Sequence, residues 1–161
     1  MRKVLITVVF LIVFLAVSYA SDYNNGIGLR GGLANGLTIK HFMNADVAIE
    51  GIFTSRWEGF ELVGLYEIHK QAFDVERLNW YYGAGAHLGF WNGKNVDWAD
   101  DEDEANEKDL VVLGIDGVLG IEYNFQELPI NISLDWKPAF NLIGHSGFWG
   151  DGGAFSIRYI F

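Results

Sequence analysis

The sequence predicts an all-β protein: an eight-stranded antiparallel up-and-down transmembrane β-barrel, preceded by a cleaved signal peptide. Three observations support this fold class. Apolar and polar residues alternate along most of the chain, which is the pattern of strands with one apolar face. Glycine is abundant and proline rare, with 20 glycines and 2 prolines. The final segment alternates in the same way and ends on an aromatic residue, Phe161.

The N-terminal segment has the layout of a secretory signal peptide. A short basic start leads into a largely apolar run over residues 4–17, and small residues stand three and one positions before Ser21. An uncleaved membrane anchor is the alternative, but the run is shorter than the roughly 20 residues that a spanning helix needs. We therefore predict a signal peptide over residues 1–20 and an outer-membrane barrel over residues 21–161.

Composition excludes several classes of function. Without Arg2 and Lys3, nine basic and 21 acidic side chains remain, a formal charge of −12. Such a chain lacks the basic surface that nucleic-acid phosphates require. The absence of cysteine excludes thiol catalysis and cysteine-based metal sites. No cofactor is predicted, and no later stretch is apolar enough for a transmembrane helix.

Eight alternating segments define the predicted strands. The clearest is residues 130–142, whose even positions from Ile130 to Leu142 are apolar and whose odd positions are mainly polar. Thirteen residues are long for a soluble strand but suit a tilted membrane strand and its extension. The predicted strands cover residues 23–33, 36–42, 45–54, 59–71, 78–90, 110–125, 130–142 and 154–161.

The connections follow the pattern of outer-membrane barrels. With both termini in the periplasm, the odd-numbered connections face outside. The fifth is long and acidic, the seventh is intermediate and glycine-rich, and the sixth, on the inside, is short. The first connection is an exception, since it is short where a longer external loop is expected.

The alternation admits two orientations of the polar face. In a soluble sandwich or lipocalin-like barrel the apolar face would form the core, whereas in a membrane barrel it faces lipid and the polar face lines the interior. Membrane orientation is favoured by aromatic residues near the ends of the apolar faces and by glycines on the polar face, which suit a narrow interior. It is also favoured by the apolar last strand, which can pair with the first.

This orientation turns twelve ionisable residues inward. Because eight strands leave an interior just wide enough for side chains, and unpaired buried charge is costly, we predict a packed ion-pair network rather than an open pore. The predicted network consists of Arg30, Lys40, Glu50, Glu61, Glu67, His69, His87, Asp116, Glu122, Asp135, Lys137 and Arg158.

The signal peptide, the eight strands and the ending AFSIRYIF resemble the small OmpA/OmpX-type outer-membrane barrels of Gram-negative bacteria. The stretches GLYEIHK, WYYGAGAHLGF and LDWKPAFNL resemble small barrels of the porin family. The resemblance implies export through the periplasm, an outer-membrane location, contact with outer-membrane lipid and lipopolysaccharide, and a monomer. It also implies that the assembly machinery reads a C-terminal signature formed by Phe155, Ile157, Tyr159 and Phe161.

Four features of the sequence are candidates for carrying chemistry. Residues 97–109 hold eight carboxylates and one lysine, which fits a divalent-cation site bridging to lipopolysaccharide phosphates, but a solvated loop is favoured because the EF-hand spacing is missing. His145 and Ser146 suggest a hydrolytic triad, but adjacent residues on a strand point in opposite directions. No catalytic residue is predicted.

The other two features are an inward group and a set of tryptophans. Glu67, His69 and His87 fit a metal site or proton relay, but charge pairing in the lumen explains them better, so no metal is predicted. The tryptophans are Trp91, Trp98 and Trp149. They suit a binding site for a partner or a glycan. The simpler interpretation is that they anchor the strand ends at the membrane interface.

The sequence therefore favours a structural or surface-interaction role. The alternatives are a narrow porin-like channel, a lipid A-modifying enzyme and a soluble lipocalin-like binder.

Overall fold

The part of the chain that the structure describes consists almost entirely of antiparallel strands. The computed structural model describes residues 23–56, 59–92, 109–144, 147–150 and 152–161. The predicted signal peptide, nearly all of the acidic segment 97–109, Trp98, His145 and Ser146 lie outside these residues. The strands are β1 Asn25–Gly32, β2 Asn35–Asn44, β3 Val47–Arg56, β4 Gly59–Gln71, β5 Leu78–Asn92, β6 Asp109–Asn124, β7 Ile130–Trp136, β8 Ala139–Ile143, β9 Gly147–Trp149 and β10 Gly153–Ile160.

These segments form a closed eight-stranded barrel. Strands β1 to β6 pair antiparallel in chain order. Strand β6 then pairs with both β7 and β8, so these two pieces are one barrel strand, the seventh. Because β9 pairs with β8 and β10 pairs with β7, the last two pieces form the eighth. The predicted all-β barrel fold is confirmed.

The first and last strands close the barrel. Strand β1 pairs with β10 in a register that places Leu29 opposite Ile157. The pairing extends to the chain end, where Asn25 and Phe161 exchange two backbone hydrogen bonds of 2.9 Å. Closure therefore removes the exposed edge that an apolar last strand would otherwise present.

The predicted continuous strand over residues 130–142 is interrupted at Lys137 and Pro138. Proline has no backbone N–H to donate to a ladder. Its carbonyl still accepts a 2.8 Å hydrogen bond from the Gly117 N–H, and the Lys137 N–H donates to the Gly152 carbonyl at 3.0 Å. The register on β6 is the same before and after the break, so β8 keeps the face assignment predicted for it.

Burial is inverted relative to a soluble protein. Leu29 is 62% exposed and Leu134 is 59% exposed on the outer surface, whereas Lys40 and Arg158 are fully buried inside. Among the described residues, 29 large hydrophobic side chains are exposed, and those on the outward faces of the strands form a belt, while a few such as Phe73, Val75 and Leu128 lie in turns. No helix within the described ranges is long and apolar enough to cross a membrane.

Aromatic side chains border this belt. Near the chain termini, paired rings lie 5.1–5.9 Å apart in Trp80–Tyr82, Tyr123–Phe125 and Tyr159–Phe161. At the opposite end, Phe60 lies 6.0 Å from Phe53 and 5.2 Å from Phe90. We call these ends the terminal end, which also carries turns 45–46, 72–77 and 125–129, and the loop end, which carries residues 33–34 and Gly144.

Candidate functional site

The centre of the interior is organised around one lysine. The Lys40 Nζ atom lies 2.8 Å from Glu67, 3.3 Å from Glu50 and 3.4 Å from Glu122, and all four side chains are buried. The ammonium group also lies 4.2 Å from the ring centroid of Tyr81. One cation thus meets three carboxylates from three other strands.

A second cation completes this group. Arg158 on β10 lies 2.5 Å from Glu50 and donates hydrogen bonds to Asn131 at 3.0 Å and Ser133 at 2.7 Å. Glu50 also accepts a hydrogen bond from Thr38. We refer to Lys40, Glu50, Glu67, His69, Glu122 and Arg158 as the Lys40 cluster.

Contacting aromatic rings cover the terminal end of the Lys40 cluster. His69 Nε2 lies 3.1 Å from Glu67, and its Nδ1 lies 3.3 Å from Glu122 without hydrogen-bond geometry. The imidazole stacks on Tyr81 at 5.0 Å and contacts Phe42 at 4.7 Å, and Phe42 in turn meets Tyr23 at 5.0 Å. These rings separate the buried charges from the terminal end of the barrel.

Arg30 forms a separate pair with Asp135. Its guanidinium makes two hydrogen bonds to the carboxylate, one of them 2.7 Å long, and a third to Ser156 at 3.3 Å. Tyr81 donates to the same carboxylate at 3.0 Å. A bidentate arginine–carboxylate pair of this kind fixes geometry as well as charge.

A second charged group lies toward the loop end. Lys137 Nζ is 2.5 Å from Asp116 and 3.4 Å from Glu61. His87 bridges Asp116 at 2.8 Å and Asn141 at 3.0 Å. We refer to Lys137, Glu61, Asp116, His87 and Asn141 as the Lys137 cluster. Lys137 and Glu61 keep some exposure, while Asp116 and His87 are buried.

All twelve residues of the predicted network therefore lie on the inner face, divided among the Lys40 cluster, the Arg30–Asp135 pair and the Lys137 cluster. Glu67 and His69 meet, but His87 belongs to the other cluster, so the three do not form one site. The described residues contain no group of three or more side chains suited to hold a metal ion.

An apolar layer between the clusters was not predicted. Ile52, Val63, Leu65 and Val118 pack with Tyr81 inside the barrel. Along β4, Val63 and Leu65 stand between Glu61 and Glu67 on the same inward face. The sequence carries the signal, because residues 62–66 are apolar on both faces of the strand apart from a glycine.

A cavity of about 120 Å³ opens at the loop end. Trp91 and Trp149 line it together with Arg30, Glu61 and Lys137. On β5, Trp91 lies on the same inward face as His87 and Gly89. The simpler interpretation, that this tryptophan anchors the strand at the membrane interface, therefore does not hold. Trp149 lies opposite the inward Ala139 and lines the same cavity.

No family model matches the sequence, and no curated protein sequence matches it. The crystal structure of the N-terminal β-barrel domain of Pseudomonas aeruginosa OprF matches with a TM-score of 0.65 at 16% identity, covering 86% of this chain and 98% of that chain. The chain has an OmpA-like barrel fold. At this identity the likeness concerns the fold alone.

Large side chains occupy the interior of this OmpA-like barrel. Arg158, Tyr81 and Lys40 are the largest fully buried side chains among the described residues, and they meet at the Lys40 cluster. An eight-stranded barrel has an interior that side chains can fill. The chemistry of the inner face is therefore ion pairing and packing.

Proposed function

We propose that the chain is an integral outer-membrane barrel of a Gram-negative bacterium with a structural or surface-interaction role. In this proposal the inward side chains fill the lumen, so that no open channel passes through it. The observation that carries the proposal is the inversion of burial: an apolar outer belt surrounds an interior of paired charges. In water such a belt would be an aggregation surface, whereas in a bilayer it matches the hydrocarbon.

The aromatic pairs at the two ends support the same placement. Tyrosine and tryptophan favour the membrane–water interfaces because their rings are amphipathic. In this arrangement the terminal end faces the periplasm and the loop end faces outside, in contact with lipopolysaccharide.

A closed interior is supported by the way the charges are held. A charge lining a water-filled channel is solvated, but Lys40 is fully buried and within 3.4 Å of three carboxylates. Opening a path would have to separate these ions at a cost of several kcal/mol each. The contacting rings of Phe42 and His69 add a second obstruction.

A narrow porin-like channel is the second candidate, and one observation favours it. The apolar layer occupies the β3, β4 and β6 wall, whereas the inward face of β7 is polar, with Asn131, Ser133 and Asp135. A narrow column of water along the polar inner face of β7 would give a small ion conductance.

Single-channel recording separates the two candidates. The mature chain, refolded in detergent and inserted into planar bilayers, is expected to give no discrete conductance steps. Insertion is established separately in vesicles by heat-modifiable migration on gels and by protection of the barrel from added protease. Regular steps from inserted protein would reject the closed interior and support the channel.

A further inference from the structure

We propose that the loop end of the barrel holds a binding pocket for a neutral sugar ring, walled by Trp91 and Trp149 and supplied with hydrogen-bonding groups by Glu61, Lys137 and Asn141. The inference deepens the surface-interaction role and rests on that proposed function only in placing the pocket on the outside of the cell. The pocket itself is defined by described residues.

Two glycines in the inner wall leave the space that the Trp91 indole occupies. A Cβ atom added to Gly89 would lie 2.0 Å from the Cζ3 atom of the indole, and one added to Gly59 would lie 2.2 Å from its Cδ1 atom. Both glycines are buried beneath the ring. Any side chain at either position would displace the indole, so two strands leave room for the aromatic ring against the wall.

Trp149 lines the same cavity from another strand. Its neighbour Phe148 is 67% exposed and faces the outer surface, so the alternation on β9 turns Trp149 inward. Leu33 and Ala34, in the short first connection, also line the cavity. The walls are therefore mainly aromatic and aliphatic, as in sites that bind the apolar face of a small ring.

The floor of the pocket supplies polar groups whose charges are already matched. Lys137 is paired with Asp116 and Glu61, and Arg30 is paired with Asp135. An anionic ligand would have to compete with these carboxylates, in a chain that already carries a large negative charge. A cationic ligand would meet the lysine and the arginine at the floor. A neutral ligand with hydroxyl groups avoids both problems, because it does not compete with the carboxylates and brings no positive charge near the lysine and the arginine.

A sugar ring satisfies both kinds of surface. One face of a pyranose presents C–H groups that pack on an indole, while its rim of hydroxyls both donates and accepts hydrogen bonds. Asn141, Glu61 and Thr54 supply acceptors, and Lys137 supplies donors. Since each water takes about 30 Å³ of liquid volume, the cavity of about 120 Å³ holds about four waters, which leaves room for one edge of a single ring with the rest in the open mouth.

The test uses the full mature chain refolded in detergent micelles, with heat-modifiable migration as the check of folding. The probes are methyl β-glucoside, methyl β-galactoside and N-acetylglucosamine, compared with glucose 6-phosphate and choline. Saturation-transfer NMR and titration calorimetry report binding. At least one of the three neutral sugars is expected to bind saturably, and the anionic and cationic probes are expected not to bind.

Two variants locate the site, and a third is the matched control. Trp91→Ala removes one aromatic wall of the pocket. Gly89→Ala displaces the Trp91 indole from its position over Gly89. Each change is expected to weaken sugar binding at least tenfold. Trp80→Ala removes an outward tryptophan near the terminal end and is expected to leave binding unchanged. Gly89→Ala keeps the test informative if Trp91→Ala does not fold.

Three results would overturn the pocket: a folded barrel that binds none of the sugars, binding confined to choline or glucose 6-phosphate, or equal sugar affinity in the Trp91→Ala, Gly89→Ala and Trp80→Ala proteins. A barrel that inserts into vesicles but binds no sugar overturns the pocket and leaves the membrane role standing. Sugar binding by protein that does not insert supports the pocket and contradicts the membrane role.

Discussion

At the scale of single residues, stability inside the barrel depends on matched charges. Lys40 is the shared partner of three carboxylates that come from β3, β4 and β6. Each ion lost its hydration on burial, and only the neighbouring ions and hydrogen bonds compensate for that loss. Removing one member therefore leaves the others uncompensated, which costs more than the net value of the intact cluster.

Replacement of Lys40 by methionine tests this dependence. We expect Lys40→Met to lower the free energy of unfolding by about 3–5 kcal/mol, because Glu50, Glu67 and Glu122 lose their common cation. Urea titration of the refolded protein in lipid vesicles measures the change. The exposed Lys70→Met is the control and should shift the curve little.

A double variant checks the cause. Adding Glu67→Gln to Lys40→Met removes one of the unpaired carboxylates, so the double variant should be more stable than Lys40→Met alone. If it is less stable, the loss in the single variant comes from packing of the lysine stem rather than from charge.

At the scale of elements, closure depends on how closely β1 approaches β10. Gly28 stands opposite Arg158, and a Cβ atom added there would lie 2.0 Å from the Ile157 carbonyl oxygen and 2.6 Å from the Arg158 Cα atom. Only a residue without a Cβ atom fits so close to the neighbouring backbone. Gly64 on β4, in contrast, has nothing within 4 Å of an added Cβ atom.

The matched pair Gly28→Ala and Gly64→Ala tests this close approach. Gly28→Ala is expected to cost about 1–3 kcal/mol or more, because the strand must move to admit the methyl group. Gly64→Ala should be neutral or slightly stabilising, since glycine is unfavourable within a strand. The fraction of heat-modifiable, folded protein after refolding compares them, and equal yields would argue against tight closure.

The last strand carries a second prediction, about assembly. Phe155, Ile157 and Phe161 are 49%, 44% and 52% exposed on the outer surface, and the Phe161 backbone pairs with Asn25. If this face is the assembly signature, deletion of Phe161 should reduce outer-membrane insertion in cells severalfold while refolding in detergent persists. Membrane fractionation measures insertion, and normal insertion of the truncated chain would reject the signature.

At the scale of the whole molecule, the sequence predicts the strands and their faces better than their contacts. The span Gly59–Gln71 is the same in prediction and structure, because alternation of Glu61, Glu67 and His69 with apolar residues is a local signal. The turns between strands are likewise predicted by the residues within them, such as glycine, proline and asparagine. The interruption at Lys137 and Pro138 was missed, although Pro138 itself is visible in the sequence, because alternation continues unbroken through it.

The partners inside the barrel could not be predicted, because they depend on strand tilt and register. Lys40 and Glu122 are separated by 82 residues, and Arg158 and Glu50 by 108. Alternation tells which side chains turn inward but not at what height they meet. The apolar layer around Val63 and the inward turn of Trp91 are different, because alternation along β4 and β5 already signals which way these side chains face.

The apolar belt is expected to face lipid, and the accessibility of spin labels on it can show whether it does. Nitroxides attached through single cysteines at Leu29, Leu62 and Leu134, in vesicles, should collide often with oxygen and rarely with a water-soluble nickel chelate. A label at Gln126, in an exposed turn, should show the reverse. If the three belt positions meet the nickel chelate as readily as Gln126 does, the belt faces water and the membrane-barrel account is wrong.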